Sequence, residues 1–225
     1  MLFNDHRSLR LAAVLAAGLG LASIASAGPP LICHPFTTGT RAPLLPWAEG
    51  KNNWHLPDPG YDRANLVADT LRLLSADAPI LDRMENMRRA TIYADESPAL
   101  AAELLRAVVE RTKTKPADTH AESLEWFDAG YLVETYRQLG LIYQHEMRPP
   151  HSRWTSLVPE ELVELDGYAL VQKAVALAPE SQAELEFASA LMSREPLTAT
   201  HLRRAASSAA AGSLLAQNLA HYDVR

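Results

Sequence analysis

The spacing of apolar residues from residue 61 to residue 225 constrains the fold more than any other feature of this sequence. Apolar side chains recur there at steps of three and four residues, as at Leu100, Leu104 and Val108, which is the period of an α-helix. No run of alternating β-branched residues, the pattern of a half-buried strand, interrupts this spacing. The pattern therefore predicts an all-α domain over residues 61–225, with essentially no sheet.

Prolines and helix-capping residues divide this domain into about seven helices. The predicted starts lie near residue 61, at Pro79, at Ser97-Pro98, near residue 120, at Pro159, at Ser181 and near residue 199. Two starts have the spacing of a capping box, in which side chains bond the backbone of the first turn: Thr119 with Glu122, and Ser181 with Glu184. Short turns between successive helices predict antiparallel hairpins, arranged as a helical repeat or as an irregular bundle.

Two pieces of this domain resemble halves of a tetratricopeptide repeat. The pieces are Trp126, Ala129-Gly130 and Val133, similar to the first helix, and Gly167, Val171, Ala174 and Pro179, similar to the second helix and closing proline. The family prefers Leu and Tyr where this chain has Ala129 and Val133. With the family's period, the proline that closes the first piece would fall near Trp154, so the pieces do not form one regular repeat. The resemblance implies a superhelical groove that binds peptides or other proteins, and it carries over no catalytic residue.

Residues 28–60 differ in composition from the helical domain. They hold seven of the 15 prolines and four of the 10 glycines, and proline excludes both a continuous helix and a central strand. They also hold Trp47, Trp54 and several aliphatic residues, which is too much apolar surface to leave in water. The segment therefore predicts an extended proline-rich arm that packs on the helical domain, with Trp47 and Trp54 as anchors.

Residues 1–27 have the organisation of a signal peptide. Arg7 and Arg10 precede an uncharged apolar stretch at 11–24, which is too short to span a bilayer comfortably. Ala25-Ser26-Ala27 supplies the small residues that a signal peptidase requires, so cleavage is expected after Ala27. An uncleaved N-terminal anchor is the alternative. No later stretch approaches membrane-spanning length, so no transmembrane segment is expected after cleavage.

The amino-acid composition limits which partners and which cellular compartment are expected. The net charge is −6, with 21 Lys and Arg against 27 Asp and Glu, so nucleic acid is not an expected partner. A single cysteine excludes an internal disulfide and any zinc site built from several cysteines. No Asn-x-Ser/Thr sequon occurs either, and this favours a bacterial periplasm or exterior over a eukaryotic secretory route.

Cys33 and His34 are the most suggestive adjacent pair, because thiolate and imidazole are both metal ligands. Only His55 lies nearby in sequence as a third ligand, whereas a site needs three or four. Three interpretations stay open for Cys33: a buried thiol under the arm, a metal ligand with His34 and His55, or a disulfide to a second chain.

Two further groups of polar residues invite a chemical interpretation. His145, Glu146 and His151 look briefly like a metalloprotease motif, but Pro149 stands where the second histidine would have to be. Carboxylates cluster at Glu122, Glu125 and Asp128 and at Glu160, Glu161, Glu164 and Asp166. Paired acids can hydrolyse glycosides, yet acids in a first helical turn also simply favour the helix dipole, and we adopt this structural interpretation.

These patterns predict an exported, non-enzymatic helical scaffold that binds a protein or peptide partner in the cell envelope. The sequence has no nucleophile elbow, phosphate-binding loop or dinucleotide fingerprint, so no catalytic residue and no cofactor is expected. The alternative is an envelope enzyme or metal-binding protein with a site near Cys33, His34 and His55. Nothing in the sequence specifies an oligomeric state.

Overall fold

The computed structural model describes residues 30–40, 42–48, 55–114, 116–146 and 157–222. Within these residues the chain is all-α, as the apolar spacing predicts, and its strand-like structure is one isolated bridge between Trp47 and Pro57. The predicted signal peptide, Trp54 and His151 lie outside the described residues, and so do the side chains of His145 and Glu146.

The described residues form nine α-helices rather than about seven. They are α1 (Pro30–Cys33), α2 (Leu66–Leu73), α3 (Ile80–Ala94), α4 (Pro98–Arg111), α5 (Thr119–Glu146), α6 (Gly167–Leu177), α7 (Gln182–Met192), α8 (Leu197–Ser208) and α9 (Leu214–Leu219). The arm accounts for one extra helix, α1. The predicted last helix accounts for the other, because it is divided into α8 and α9 by a turn in which Gly212 has φ 76°. None of these helices has both the length and the apolar composition that crossing a membrane requires.

Several predicted helix starts are shifted because a different side chain caps the helix. Pro159 begins only a 3-10 turn, and α6 starts at Gly167, where the Asp166 carboxylate accepts a bond from the Ala169 N–H. Both predicted capping boxes are wrong. The Asp118 carboxylate, not Thr119, accepts the Ala121 N–H at 2.8 Å, and the Ser181 side chain makes no capping bond. Asparagine, aspartate and serine compete for capping positions, so a one-residue error such as the one at α5 is expected.

Helix α3 lies at the centre of the molecule. Thirteen of its 15 residues are buried, and α1, α2, α4, α5 and α7 pack around it. Its buried residues nevertheless include the charged side chains of Arg83, Glu85 and Arg88. A buried charge is tolerated only when it is paired and hydrogen-bonded, so α3 must be surrounded by polar partners. Those partners decide how the rest of the chain is arranged.

Helices α5 and α6 cross at two glycines. A Cβ atom on Gly130 would lie 2.4 Å from the Gly167 carbonyl oxygen, and one on Gly167 would lie 2.5 Å from the Gly130 carbonyl oxygen. The helix backbones therefore touch at this crossing, and the Ser123 hydroxyl donates to the Ala174 carbonyl at 2.9 Å farther along. The two tetratricopeptide-like pieces do not belong to one repeat in the sequence, but they are neighbours in space. Membership of that family stays a prediction.

Candidate functional site

The helices hold the N-terminal arm mainly through side chains that bond its backbone. We call this surface the arm groove and define it by the residues that make these bonds: Glu85, Asn86, Arg88, Arg89 and Tyr93 on α3, Gln138 on α5 and Asn218 on α9. The arm backbone bonds the groove from Leu31 to Pro46 and again at Asp58, whose N–H donates to the Tyr93 hydroxyl at 3.0 Å. Because these bonds are made to main-chain atoms, they determine the path of the arm but do not depend on the identity of its side chains.

Two asparagines in the groove each bond both a donor and an acceptor of the arm. The Asn86 side chain accepts from the Leu45 N–H at 2.9 Å and donates to the Pro43 carbonyl at 3.1 Å. The Asn218 side chain accepts from the Thr37 N–H and donates to the Thr37 carbonyl, both at 2.9 Å. A primary amide carries the same donor and acceptor as a peptide group, so each asparagine replaces the neighbouring strand that an extended chain would otherwise need.

Glu85 is the electrostatic centre of the groove. Its carboxylate accepts the Phe36 N–H at 3.0 Å and bonds Arg88 at 2.8 Å and Arg89 at 2.7 Å. Burial alone would raise the pKa of this carboxyl, but the two guanidinium groups outweigh it and hold the pKa below its ordinary value. Glu85 is therefore ionised at neutral pH and binds the arm as a carboxylate.

The two arginines extend this network to the far end of the arm. Arg89 donates to the Leu45 carbonyl at 2.5 Å, and Arg88 donates to the Ile32 carbonyl at 3.4 Å. Both guanidinium groups lie over the Trp47 ring, with their carbon atoms 5.1 and 5.5 Å from its centroid. The Trp47 ring also meets Tyr93 edge-on at 5.7 Å. Trp47 therefore anchors the arm through cation–π and aromatic contacts.

The side chains of the arm are sorted between the groove and the solvent. Four of its bulky apolar residues are buried, and one of them, Phe36, meets Phe187 of α7 edge-on at 6.2 Å. The buried set is Leu31, Ile32, Phe36 and Leu45. The prolines within the bound stretch are exposed: Pro35, Pro43 and Pro46. The groove thus takes up bulky apolar side chains and leaves prolines to keep the backbone extended.

Replacing Trp47 with alanine should lower the free energy of unfolding by about 2–3 kcal/mol, because a half-buried aromatic ring and two cation–π contacts are lost. The melting temperature should fall by about 5–10 °C for a chain of this size. Thermal unfolding followed by circular dichroism measures the change. Leu56→Ala is the control, since that side chain is 46% exposed. Equal melting of the two variants would show that Trp47 anchors nothing.

The candidate metal ligands occupy different environments. Cys33 is half-buried and packs against the core, His34 is half-buried, and His55 is exposed. Burial, with a smaller contribution from His221, lowers the pKa of His34. No group of three or more His, Cys, Asp or Glu suited to a metal ion occurs in the described part of the chain. The structure therefore does not join Cys33, His34 and His55 into such a site.

Members of the two acidic clusters have structural partners. The buried Asp128 carboxylate accepts from Arg83 at 2.6 Å and from Arg111 at 3.2 Å, which ties α5 to α3 and α4. In the same cluster Glu122 accepts the Trp126 indole N–H at 3.1 Å. In the other, Glu161 pairs with Arg106 at 2.5 Å, and Asp166 caps α6. These contacts agree with the structural interpretation of the clusters.

A second buried polar group joins three helices and was not visible in the sequence. The Tyr168 hydroxyl on α6 lies 2.7 Å from His201 Nε2 on α8, and His201 Nδ1 is hydrogen-bonded to the Glu186 carboxylate on α7. Hydroxyl, imidazole and carboxylate occur in the same order at nucleophilic active sites. Here burial and the Glu186 charge raise the pKa of Tyr168, so its phenol stays protonated. We interpret the group as a structural tie between α6, α7 and α8.

Sequence reasoning also missed most of the arm groove. It identified the arm and Trp47 as its anchor, but it treated α3 only as an apolar stripe. The available signal was the density of charged and amide residues in α3, such as Glu85, Asn86 and Arg88, which an ordinary surface helix would confine to one face. No sequence pattern could have identified Asn218 as a groove residue, because its partner Thr37 is 181 positions away in the chain.

Comparisons with known proteins assign the chain to no family. No protein-family model, no curated protein and no solved structure matches it. The function is therefore inferred from the arrangement of the chain's own residues. The arm groove is the arrangement with the largest number of contacts to a bound segment.

Proposed function

We propose that this chain is an exported, non-enzymatic helical scaffold that binds an extended peptide segment of a protein partner in the cell envelope. The observation that supports this most directly is the pair Asn86 and Asn218. Each bonds both an N–H and a C=O group of an extended chain. This is the chemistry by which a helical surface recognises a peptide backbone.

Main-chain bonds and side-chain pockets divide the work of recognition between them. Bonds to the backbone supply affinity for any extended segment, whereas pockets for particular side chains supply specificity. In the arm groove the apolar side chains of Phe36 and Leu45 are buried, and the described residues between them are more exposed. A partner segment would therefore need two bulky apolar residues at a similar separation and no strong tendency to form a helix.

A peptide library displayed against the mature chain tests this proposal. Selected peptides should share bulky apolar residues within an extended, proline-containing sequence, and their affinities are then measured by fluorescence anisotropy. Asn86→Ala or Asn218→Ala should weaken binding about tenfold, since each removes two bonds to the peptide backbone. Asn65→Ala is the matched control, because Asn65 is exposed and its side chain makes no capping bond. No selection above background, or binding indifferent to both asparagines, would refute the proposal.

The envelope location rests on residues 1–27 and is tested separately. If the signal peptide is cleaved after Ala27, N-terminal sequencing of exported protein should begin Gly-Pro-Pro. Met1 retained in a membrane fraction would identify an uncleaved anchor instead.

A further inference from the structure

We infer that the N-terminal arm acts as a ligand of the arm groove. The arm leaves the groove as a unit, and it thereby controls whether an extended peptide of another protein can bind there. This inference rests on the proposed function and adds its regulation: the same surface binds either the arm or the partner. The arm is then a competitor built into the chain, and the partner must displace it.

Between α1 and Pro46, the groove rather than the arm's own backbone supplies most of the hydrogen bonds that hold the arm. Within the arm, the Ala42 N–H and the Gly39 carbonyl form a turn at 3.0 Å. The N–H groups of Leu31, Phe36, Thr37 and Leu45 instead donate to helix side chains. An extended segment whose backbone bonds run to another element can leave as a unit, because its departure breaks few bonds elsewhere.

The charges of the groove remain paired when the arm leaves. Glu85 bonds Arg88 at 2.8 Å and Arg89 at 2.7 Å, and all three residues lie on α3. The Asn218 amide likewise keeps a bond to the Leu214 carbonyl of its own helix at 2.8 Å. Opening therefore exposes a preassembled set of donors and acceptors and strands no buried charge. Stranding such a charge is what makes most buried networks resist opening.

The occupant that fits the opened groove is an extended, proline-containing peptide with bulky apolar residues. The arm itself is the template, since Phe36 and Leu45 point into the fold whereas Pro35, Pro43 and Pro46 are exposed. A covalently attached segment acts at an effective concentration on the order of millimolar. A free peptide with the same contacts therefore competes poorly, and a partner succeeds only by binding more tightly or by being held nearby.

Native-state hydrogen exchange on the unmodified chain tests the opening. The amides of Phe36, Thr37 and Leu45 should exchange together, at least tenfold faster than the slowest amides of α3 and α5. Their exchange should also depend only weakly on denaturant, because opening the arm exposes little surface compared with global unfolding. Exchange of the arm amides only at the rate of global unfolding would make the arm a permanent part of the core and would overturn the inference.

Binding in trans tests the competition, with a fluorescent peptide of residues 30–48 as the probe. Full-length chain carrying Leu45→Asp, whose arm is weakened while the groove is intact, should bind the probe at least tenfold more tightly than the wild type. Adding Asn86→Ala should abolish this gain, and adding Asn65→Ala should not. Equal binding by the wild type and Leu45→Asp would overturn the inference. If Leu45→Asp does not fold, the hydrogen-exchange result decides.

The two proposals fail in different ways. If the probe binds in trans but no foreign peptide is selected, the inference that the arm competes for its groove stands and the proposed function is refuted. If selected peptides bind while the arm stays in the groove, the chain is a peptide-binding scaffold and the arm is not a competitor. Arm-exchanged dimers in light scattering would identify a second copy as the occupant and overturn the choice of a foreign peptide.

Discussion

Replacing Glu85 with glutamine should lower the free energy of unfolding by about 3–5 kcal/mol, the usual cost of removing one partner from a buried ion pair. The Glu85 carboxylate bonds Arg88, whose side chain is 0% exposed, and Arg89, and it also accepts the Phe36 N–H of the arm. Glutamine has nearly the same shape but no charge, so the guanidinium groups lose their counter-charge in a dry environment. Urea unfolding followed by circular dichroism measures the loss.

Glu110→Gln is the matched control for this substitution. Glu110 pairs with Lys113 at 2.7 Å, but both side chains are about two-thirds exposed. Exposed pairs contribute roughly 0–1 kcal/mol, so this variant should unfold almost like the wild type. Similar losses in the two variants would show that the charge on Glu85 is not what holds the arm.

The pH dependence of stability provides a second test of Glu85. Its pKa in the folded chain lies below its ordinary value of 4.5. The carboxylate therefore stabilises the fold fully above about pH 4.5 and loses this contribution as the pH falls toward the folded pKa. Between pH 6 and pH 3 the wild type should lose more stability than Glu85→Gln, which has no proton to bind at this position. Parallel curves for the two proteins would contradict this assignment.

Replacing Gly130 with alanine should lower the free energy of unfolding by about 2 kcal/mol, although alanine is the better helix former. The new Cβ would lie 2.4 Å from the Gly167 carbonyl oxygen and 2.9 Å from the Leu170 Cβ, and neither atom is the end of a flexible side chain. Helices α5 and α6 must therefore separate. Overpacking of this kind costs about 3 kcal/mol, and the gain in helix propensity returns about 1 kcal/mol.

Gly167→Ala should have a similar effect, because its Cβ would meet the Gly130 carbonyl at 2.5 Å. The double variant should cost clearly less than the sum of the two, since helices already moved apart by one methyl group accommodate the second. Gly39→Ala is the control, because its Cβ would have nothing within 4 Å. Additive losses in thermal or urea unfolding would mean that the two glycines do not share one crossing.

The helical segments could be predicted because the signal for them is local. Neighbours three and four positions apart determine whether a segment has an apolar stripe, and the stripes of α3, α4 and α5 were placed to within a few residues. The start of α5 was predicted to within one residue, whereas α6 starts several residues later than predicted, because Pro159 opens only a 3-10 turn. Asp118 and Asp166 cap these helices where Thr119 and Pro159 were expected.

The sequence by itself thus determined an all-α chain and a proline-rich segment with a Trp47 anchor. Only the tertiary structure decided where these parts meet. It placed α3 at the centre, joined Gly130 to Gly167, and brought Asn218 to Thr37 across 181 residues. Such contacts depend on pairs of residues far apart in the chain, and a single sequence records the members of a pair without recording the pairing.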